Sequence, residues 1–179
     1  MRFNEFIDLD IPILSSYKGL KRIIVLKKAR FLFPSYDAVW LLRYVDYYSA
    51  KGNKFQKLRV IFYRRLLVNR YNIFYSSSGD ILGYGLKLPH PCSIIFGSGA
   101  KLGNNVCVYQ DVTIGAKNVG EAINNAYPVI MDNCVLYAGC KIIGPITLNS
   151  GSVVGANSVL IGDTECNSVY AGVPAKRIR

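Results

Sequence analysis

Between Leu88 and Gly162, bulky apolar residues recur at every sixth position. Phe96, Leu102, Val108 and Ile114 hold one register, and after a gap Ile130, Leu136, Ile142, Leu148, Val154 and Leu160 hold a second. In a chain that is 51% hydrophobic, ten such matches arise by chance about once in a thousand registers. The fourth residue after most anchors is small or β-branched: Ala100, Val106, Val112, Cys134, Cys140, Ile146, Ser152 and Ser158. Gly97, Gly103, Gly115 and Gly155 directly follow anchors. A period of six is neither the helical 3.6 nor the strand alternation of two. It predicts hexapeptide repeats, in which short strands alternate with tight turns and the chain winds into a parallel β-helix. Anchors point inward, small residues close the corners, and glycine tolerates the turns. Three hexads make a coil that climbs ~4.8 Å, and about a dozen hexads make roughly four coils. A sandwich of short strands fits poorly, because its strands alternate at two and hold no six-residue register.

Two breaks in the register stand out. Sixteen residues instead of six separate Ile114 from Ile130, so residues 116–128 are expected to leave the coil as an extended loop, the kind of feature on which binding functions concentrate. Eight residues separate Leu88 from Phe96, which places His90, the only histidine, at a bulge in Leu88-Pro89-His90-Pro91. Leu82 and Leu88 read as a first, imperfect coil.

Upstream, the period changes. Residues 1–15, with Pro12 near the end, read as an extended or loosely helical arm, and residues 16–33 mix cations with apolar runs. Ser35 is a fair N-cap for a helix to about Ala50, where Ala38, Leu41, Leu42 and Val45 form one apolar stripe. Lys51-Gly52-Asn53 is a turn. A second helix, about Lys54 to Tyr71, sets Leu58, Ile61, Phe62 and Leu66 on one side with Lys57, Arg64 and Arg65 around them. Ser76-Ser77-Ser78-Gly79 reads as a linker. The chain thus divides into a basic, aromatic-rich α-helical region (1–80), a β-helix (81–165) and a C-terminal tail (166–179).

Charge follows the same division. Residues 1–80 hold fifteen Lys/Arg against six Asp/Glu, and residues 81–179 hold seven against five. The basic half admits a solvated structural face, a surface lying on anionic lipid, or nucleic-acid binding, the last without any recognisable motif. Five cysteines without a CxxC or Cys/His pair suggest no zinc site, and Cys134 and Cys140 occupy the small inward positions as reduced thiols. No run of eighteen apolar residues spans a membrane, and the first residues lack the plan of a secretory signal. A cytoplasmic protein is expected, peripheral to the inner face of the membrane if the basic helices meet lipid.

Leu88-Pro89-His90-Pro91-Cys92-Ser93-Ile94-Ile95-Phe96-Gly97, Asp111-Val112-Thr113-Ile114-Gly115 and Ala171-Gly172-Val173-Pro174-Ala175-Lys176 together resemble the hexapeptide-repeat acyltransferases. The likeness is to the serine acetyltransferases and their relatives in polysaccharide gene sets, and it covers residues 82–179. It implies a mainly β protein built on a left-handed parallel β-helix, a homotrimer, and acetyl-CoA held between neighbouring subunits without a metal. It matches His90 to the family's catalytic base, a role that suits imidazole because a free alcohol is hardly ionised near neutrality. The alternative, a lone histidine filling a bulge, stays open on the residues alone. By the same resemblance, Ala138 and Ala156 contact the pantetheine arm, Gly115, Ala116 and Lys117 approach the thioester, and Lys176 and Arg179 meet the coenzyme's phosphates. Carbonic anhydrase chemistry on such a coil needs three histidines, and this chain has one.

Three departures bear on the acceptor. Pro89 stands where the family has an aspartate before the catalytic histidine. Tyr127, before Pro128, stands for a second histidine that helps hold serine, and is the candidate substrate-binding residue. Tyr75 stands where the aspartate partner of the catalytic histidine is expected, with Asp80 and Asp111 as possible substitutes. The expectation drawn from these losses is a neutral sugar hydroxyl of a surface polysaccharide or lipid-linked oligosaccharide as acceptor. Serine, in cysteine biosynthesis, is the alternative.

Overall fold

The computed structural model describes residues 1–75, 79–118 and 126–179. From Phe74 onward the backbone forms short strands that pair in parallel with strands one coil away. Three sheets result. The first contains β1 (Phe74–Tyr75), β2 (Ile95–Phe96), β5 (Thr113–Gly115), β8 (Lys141–Ile143) and β11 (Val159–Leu160). The second contains β3 (Lys101–Leu102), β6 (Val129–Ile130) and β9 (Thr147–Leu148). The third contains β4 (Cys107–Val108), β7 (Val135–Leu136), β10 (Val153–Val154), β12 (Val169–Gly172) and, antiparallel at its edge, β13 (Ala175–Arg177). This is the three-sided parallel coil that the period of six predicts.

The register confirms the repeat residue by residue. Ile95 pairs with Thr113, Lys141 with Val159 and Val129 with Thr147, each eighteen positions on, or three hexads. Across the insertion the step is twenty-eight, as in Thr113 with Lys141 and Cys107 with Val135, yet every anchor stays inside. Phe96, Ile114, Ile142, Val108, Leu136, Val154 and Leu148 are all fully buried. The first sheet has five strands, one rung more than roughly four coils, because Phe74–Tyr75 joins ahead of the hexads. Leu82 and Lys87 bridge to Leu102 and Cys107, so the imperfect first coil is real.

The corners correct one expectation. The glycines after the anchors, Gly97 and Gly103, do not adopt left-handed φ. They are needed for close approach: a Cβ on Gly97 would lie 2.5 Å from the Tyr127 ring, and one on Gly103 2.3 Å from Asp132 Oδ1. The left-handed turn positions are shared between Asn105, Asp111, Asn133, Asn157 and Asn167, whose short polar side chains tolerate that region, and other glycines, among them Gly85, Gly139, Gly144 and Gly151. Cys134 and Cys140 are buried and free, and burial pushes their thiols up to about 11 and about 12.

The upstream region is helical throughout, and its start is not loose. α1 (Phe3–Asp10) and a 3-10 turn (Pro12–Ser16) dock through Ile7, Ile11 and Leu14, all fully buried. α2 (Gly19–Leu32) follows, then α3 (Pro34–Lys51), which buries Ala38, Leu41, Leu42 and Val45 as its stripe requires. Phe33, not Ser35, is the cap of α3, because Pro34 is preset for the first helical position. α4 (Lys54–Tyr71) is capped reciprocally by Asn53 and Gln56 and ends on Asn72 in the left-handed conformation. Its inward residues are Val60 and Leu67, while Leu58, Ile61 and Phe62 face solvent. Of the four residues set on one side, three point outward and Leu66 is half-buried against the core. Residues 76–78 of the expected linker and 119–125 of the expected loop lie outside the described residues.

One polar network joins helices to coil. Arg43, 1% exposed, donates from Nε and Nη2 to the Asp10 carboxylate at 2.7 and 3.1 Å, and from Nη1 to the Leu82 carbonyl at 2.6 Å. Asp10 also accepts the Leu86 N–H at 3.1 Å, and Asp46 accepts the Ile81 N–H and the Tyr75 hydroxyl. Burial raises both carboxyls above their usual range, against the pull of Arg43 on Asp10 and of the Tyr75 hydroxyl on Asp46. The network holds the first coil, from which His90 emerges, against α1 and α3.

Candidate active site

His90 sits on the corner between the third sheet and the first. Leu88 is buried as the last anchor of the first coil; the chain then turns through Pro89, His90 and Pro91 before Ile95–Phe96 resumes the first sheet. Two prolines fix φ on either side of the histidine, and the Cys92 N–H closes the turn on the His90 carbonyl at 2.8 Å. The imidazole is exposed. The break of eight residues in the register thus forms a turn that carries one exposed histidine out of a stiff scaffold.

Successive turns stack beneath it. The Asp111 N–H bonds the Cys92 carbonyl at 3.0 Å, Gly139 N–H the Gln110 carbonyl at 2.9 Å, and Asn157 N–H the Ala138 carbonyl at 2.9 Å. The turns bearing His90, Tyr109–Asp111, Tyr137–Gly139 and Gly155–Asn157 therefore form one edge, and Ala138 and Ala156 lie on adjacent rungs of it. The His90 and Tyr109 rings are 6.0 Å apart, and Tyr109 stacks on Tyr137 at 5.1 Å. Sequence reasoning missed this aromatic column. Its signal was there: both tyrosines directly follow buried anchors, Val108 and Leu136, the outward position next in the repeat.

Gly115, Ala116 and Lys117 lie on the other edge of the first sheet, after β5, where Lys117 covers Gly144 and the Gly144 N–H bonds the Gly115 carbonyl at 2.9 Å. Tyr127 is there too. Its ring rests against Gly97 and Gly99, and its hydroxyl accepts from Ser98 Oγ at 2.9 Å. Within one chain, then, the expected base and the expected coenzyme arm share an edge, while Tyr127 and the thioester turn stand one face away. Lys176 is exposed on β13, which forms a hairpin with β12 around the cis Val173–Pro174 bond, and Arg179 follows, its carbonyl accepting the Val169 N–H at 2.9 Å.

Of the carboxylates considered as partners of His90, Asp80 pairs with Lys51 at 3.0 Å, and Tyr75, at the position where an aspartate was expected, donates its hydroxyl to Asp46. Asp111 stays on the edge of His90, one rung below, and exposed. Beside Pro89 a cleft of about 130 Å³ opens where helices meet the first coil, lined by Ser35, Tyr36, Val39, Lys87 and Pro89 with Asp10 at its floor. Among the described residues no cluster of His, Cys, Asp and Glu could hold a metal ion.

No protein-family model matches the chain. A serine acetyltransferase of Staphylococcus xylosus is 33% identical over 101 residues, 56% of this chain and 46% of that protein. The serine acetyltransferase of Mycobacterium tuberculosis is 27% identical over 148 residues, 83% of this chain and 62% of that protein. The crystal structure of serine acetyltransferase from Neisseria gonorrhoeae superposes with a TM-score of 0.77 at 25% identity, covering 99% of this chain and 66% of that one. The chain spans about half to three-fifths of the length of the curated relatives it matches. These relatives overturn the expectation of a polysaccharide acceptor: all of them are serine acetyltransferases. The loss of single residues at matched positions was the wrong guide, because a missing side chain shows which contact is absent and not which acceptor takes its place. In sequence and in fold, the chain is similar to the serine acetyltransferases, the group its hexapeptide repeats resemble.

Proposed function

We propose that this protein is an acetyl-CoA-dependent serine O-acetyltransferase with His90 as general base. The observation that carries the reading is the exposed imidazole, held between two prolines on the edge where Ala138 and Ala156 line adjacent rungs, in a chain whose relatives are serine acetyltransferases. His90 takes the proton of the serine hydroxyl as its oxygen attacks the thioester carbonyl. The tetrahedral intermediate collapses, the carbon–sulfur bond breaks, and the imidazolium returns the proton to the departing thiolate. O-acetylserine and coenzyme A leave. The cleft beside Pro89 is far smaller than the ~300 Å³ of a drug-sized ligand pocket, and Lys87 offers a cation for the carboxylate of a small amino acid.

The two edges of the first sheet give the rest of the reading its logic. Gly115–Lys117 and Tyr127 stand one face away from His90, so a complete site brings the first edge of one protomer against the second edge of the next. A left-handed coil assembled as a trimer, as the resemblance implies, supplies three such grooves. In this reading Lys176 and Arg179, at the end of the coil, meet the coenzyme phosphates by charge-assisted hydrogen bonds.

The test is direct. Thiol release from acetyl-CoA is measured with L-serine as acceptor, in the native chain and in His90→Ala. Serine-dependent release that falls ~10²- to 10⁴-fold in the variant is expected. No serine-dependent release in the native chain removes the acceptor, and undiminished release in the variant removes the base.

A further inference from the structure

α4 is apolar on two sides and has one partner. Its inward side, Val60 and Leu67, packs against the body of the protein. On the opposite side Phe55, Leu58, Ile61 and Phe62 are between 61 and 81% exposed. Their spacing of three and four residues aligns them along one face, and the open trough they form continues through Arg65 to Val68. Lys54, Lys57, Arg59 and Arg65 border that face; among the described residues no carboxylate pairs with any of the four. The helix holds six Lys/Arg and no Asp or Glu.

Two such faces do not suit each other. A second copy of α4 would oppose cation to cation across a contact without an acid, and juxtaposed like charges are strongly unfavourable. A soluble anion would satisfy the cations and leave the phenylalanines in water. An anionic bilayer surface meets both needs: acyl chains take the apolar stripe while headgroups face the bordering cations. α2 shares the composition, with five Lys/Arg, no acid, and Leu20, Ile23, Ile24 and Phe31 exposed. We propose that the outward face of α4, Phe55-Leu58-Ile61-Phe62 bordered by Lys54, Lys57, Arg59 and Arg65, docks the protein on an anionic lipid surface. No helix of the described chain is long and apolar enough to cross a membrane, so the contact is peripheral.

Co-sedimentation of the full chain with phosphatidylcholine vesicles, with and without phosphatidylglycerol, tests this. Binding is expected only with phosphatidylglycerol and should weaken as salt is added, since each cation near a charged surface contributes about fivefold to partitioning. Ile61→Ser with Phe62→Ser should lower the partition coefficient at least ~10-fold, with thermal stability unchanged because both side chains are already in solvent. Equal binding to neutral vesicles, no binding to anionic ones, or full binding by the double variant overturns the proposal. So does a double variant whose mass by light scattering falls, which would make this face a contact between copies. None of these readouts depends on the acetyl acceptor, so the docking surface and the enzymatic reading fail separately.

Discussion

The coil and the helices of this protein are stabilised by opposite strategies. In the coil, each rung repeats the one before: an apolar anchor inside, a small residue at the corner, and a strand of two or three residues paired eighteen positions on. No rung is special, and the stabilisation is spread over many similar burials. In the helical region one unrepeated group does the joining. Arg43 holds Asp10 of the first helix and the carbonyls of Leu82 and Gly83 in the first coil, with Asp46 at 3.8 Å. The lesson is about where a single change is felt: repetition dilutes it and a buried ionic joint concentrates it.

The sharpest way to break this contrast is Arg43→Met. Removing the cation leaves two buried carboxylates uncompensated, and a loss of about 3–5 kcal/mol in chemical unfolding is expected. Ile142→Val in the middle of the coil should cost only about 1 kcal/mol; equal losses would show that the joint is no more critical than a rung. Alkaline pH probes the coil next. Cys134 and Cys140 keep their protons to about 11 and about 12, against an ordinary value of 9.0. The native state therefore holds protons that the unfolded chain releases. Stability is complete below pH 9 and falls between pH 9 and 11 by roughly 1.4 kcal/mol per unit for each thiol. Replacing both cysteines with alanine should flatten that part of the stability–pH curve. The smallest effect is expected at the column beneath His90. Tyr109→Leu should lower kcat about two- to tenfold, the worth of an aromatic contact, while Tyr109→Phe, which keeps the ring, should leave it nearly unchanged. If both variants match the native chain, the column is packing and not part of the site.

What could be read from the residues follows the same divide. The coil was legible because its signal is repeated: ten anchors in register leave little room for another fold, and each pairing falls where the spacing puts it. The position of His90 was legible for the same reason, as a departure from a rule that is otherwise kept. The helical region has no rule to depart from. Nothing in the sequence separates Arg43, which is buried, from Arg65, which is not, since each sits among apolar helix neighbours. The outward direction of Leu58, Ile61 and Phe62 was not legible because helical period reports that a side is apolar, not which side meets the body. The first fifteen residues were undervalued for a related reason: Ile7, Ile11 and Leu14 dock only because α3 supplies a surface that the local sequence does not reveal. For the acceptor, reasoning from missing residues assumed that recognition must come from the same positions as in the family, and an absence at three positions names no acceptor.

The insertion after Gly115 carries a lesson for engineering. The sequence between Gly115 and Val129 is ten residues longer than the matching corner of the next coil, yet which residue meets which is unchanged, so Thr113 still faces Lys141 and Lys101 still faces Val129. The scaffold treats that corner as a socket: what is plugged in there can be lengthened, shortened or exchanged while every rung above and below keeps its address. A foreign segment grafted at that socket would then leave the imidazole and its column of turns where they are.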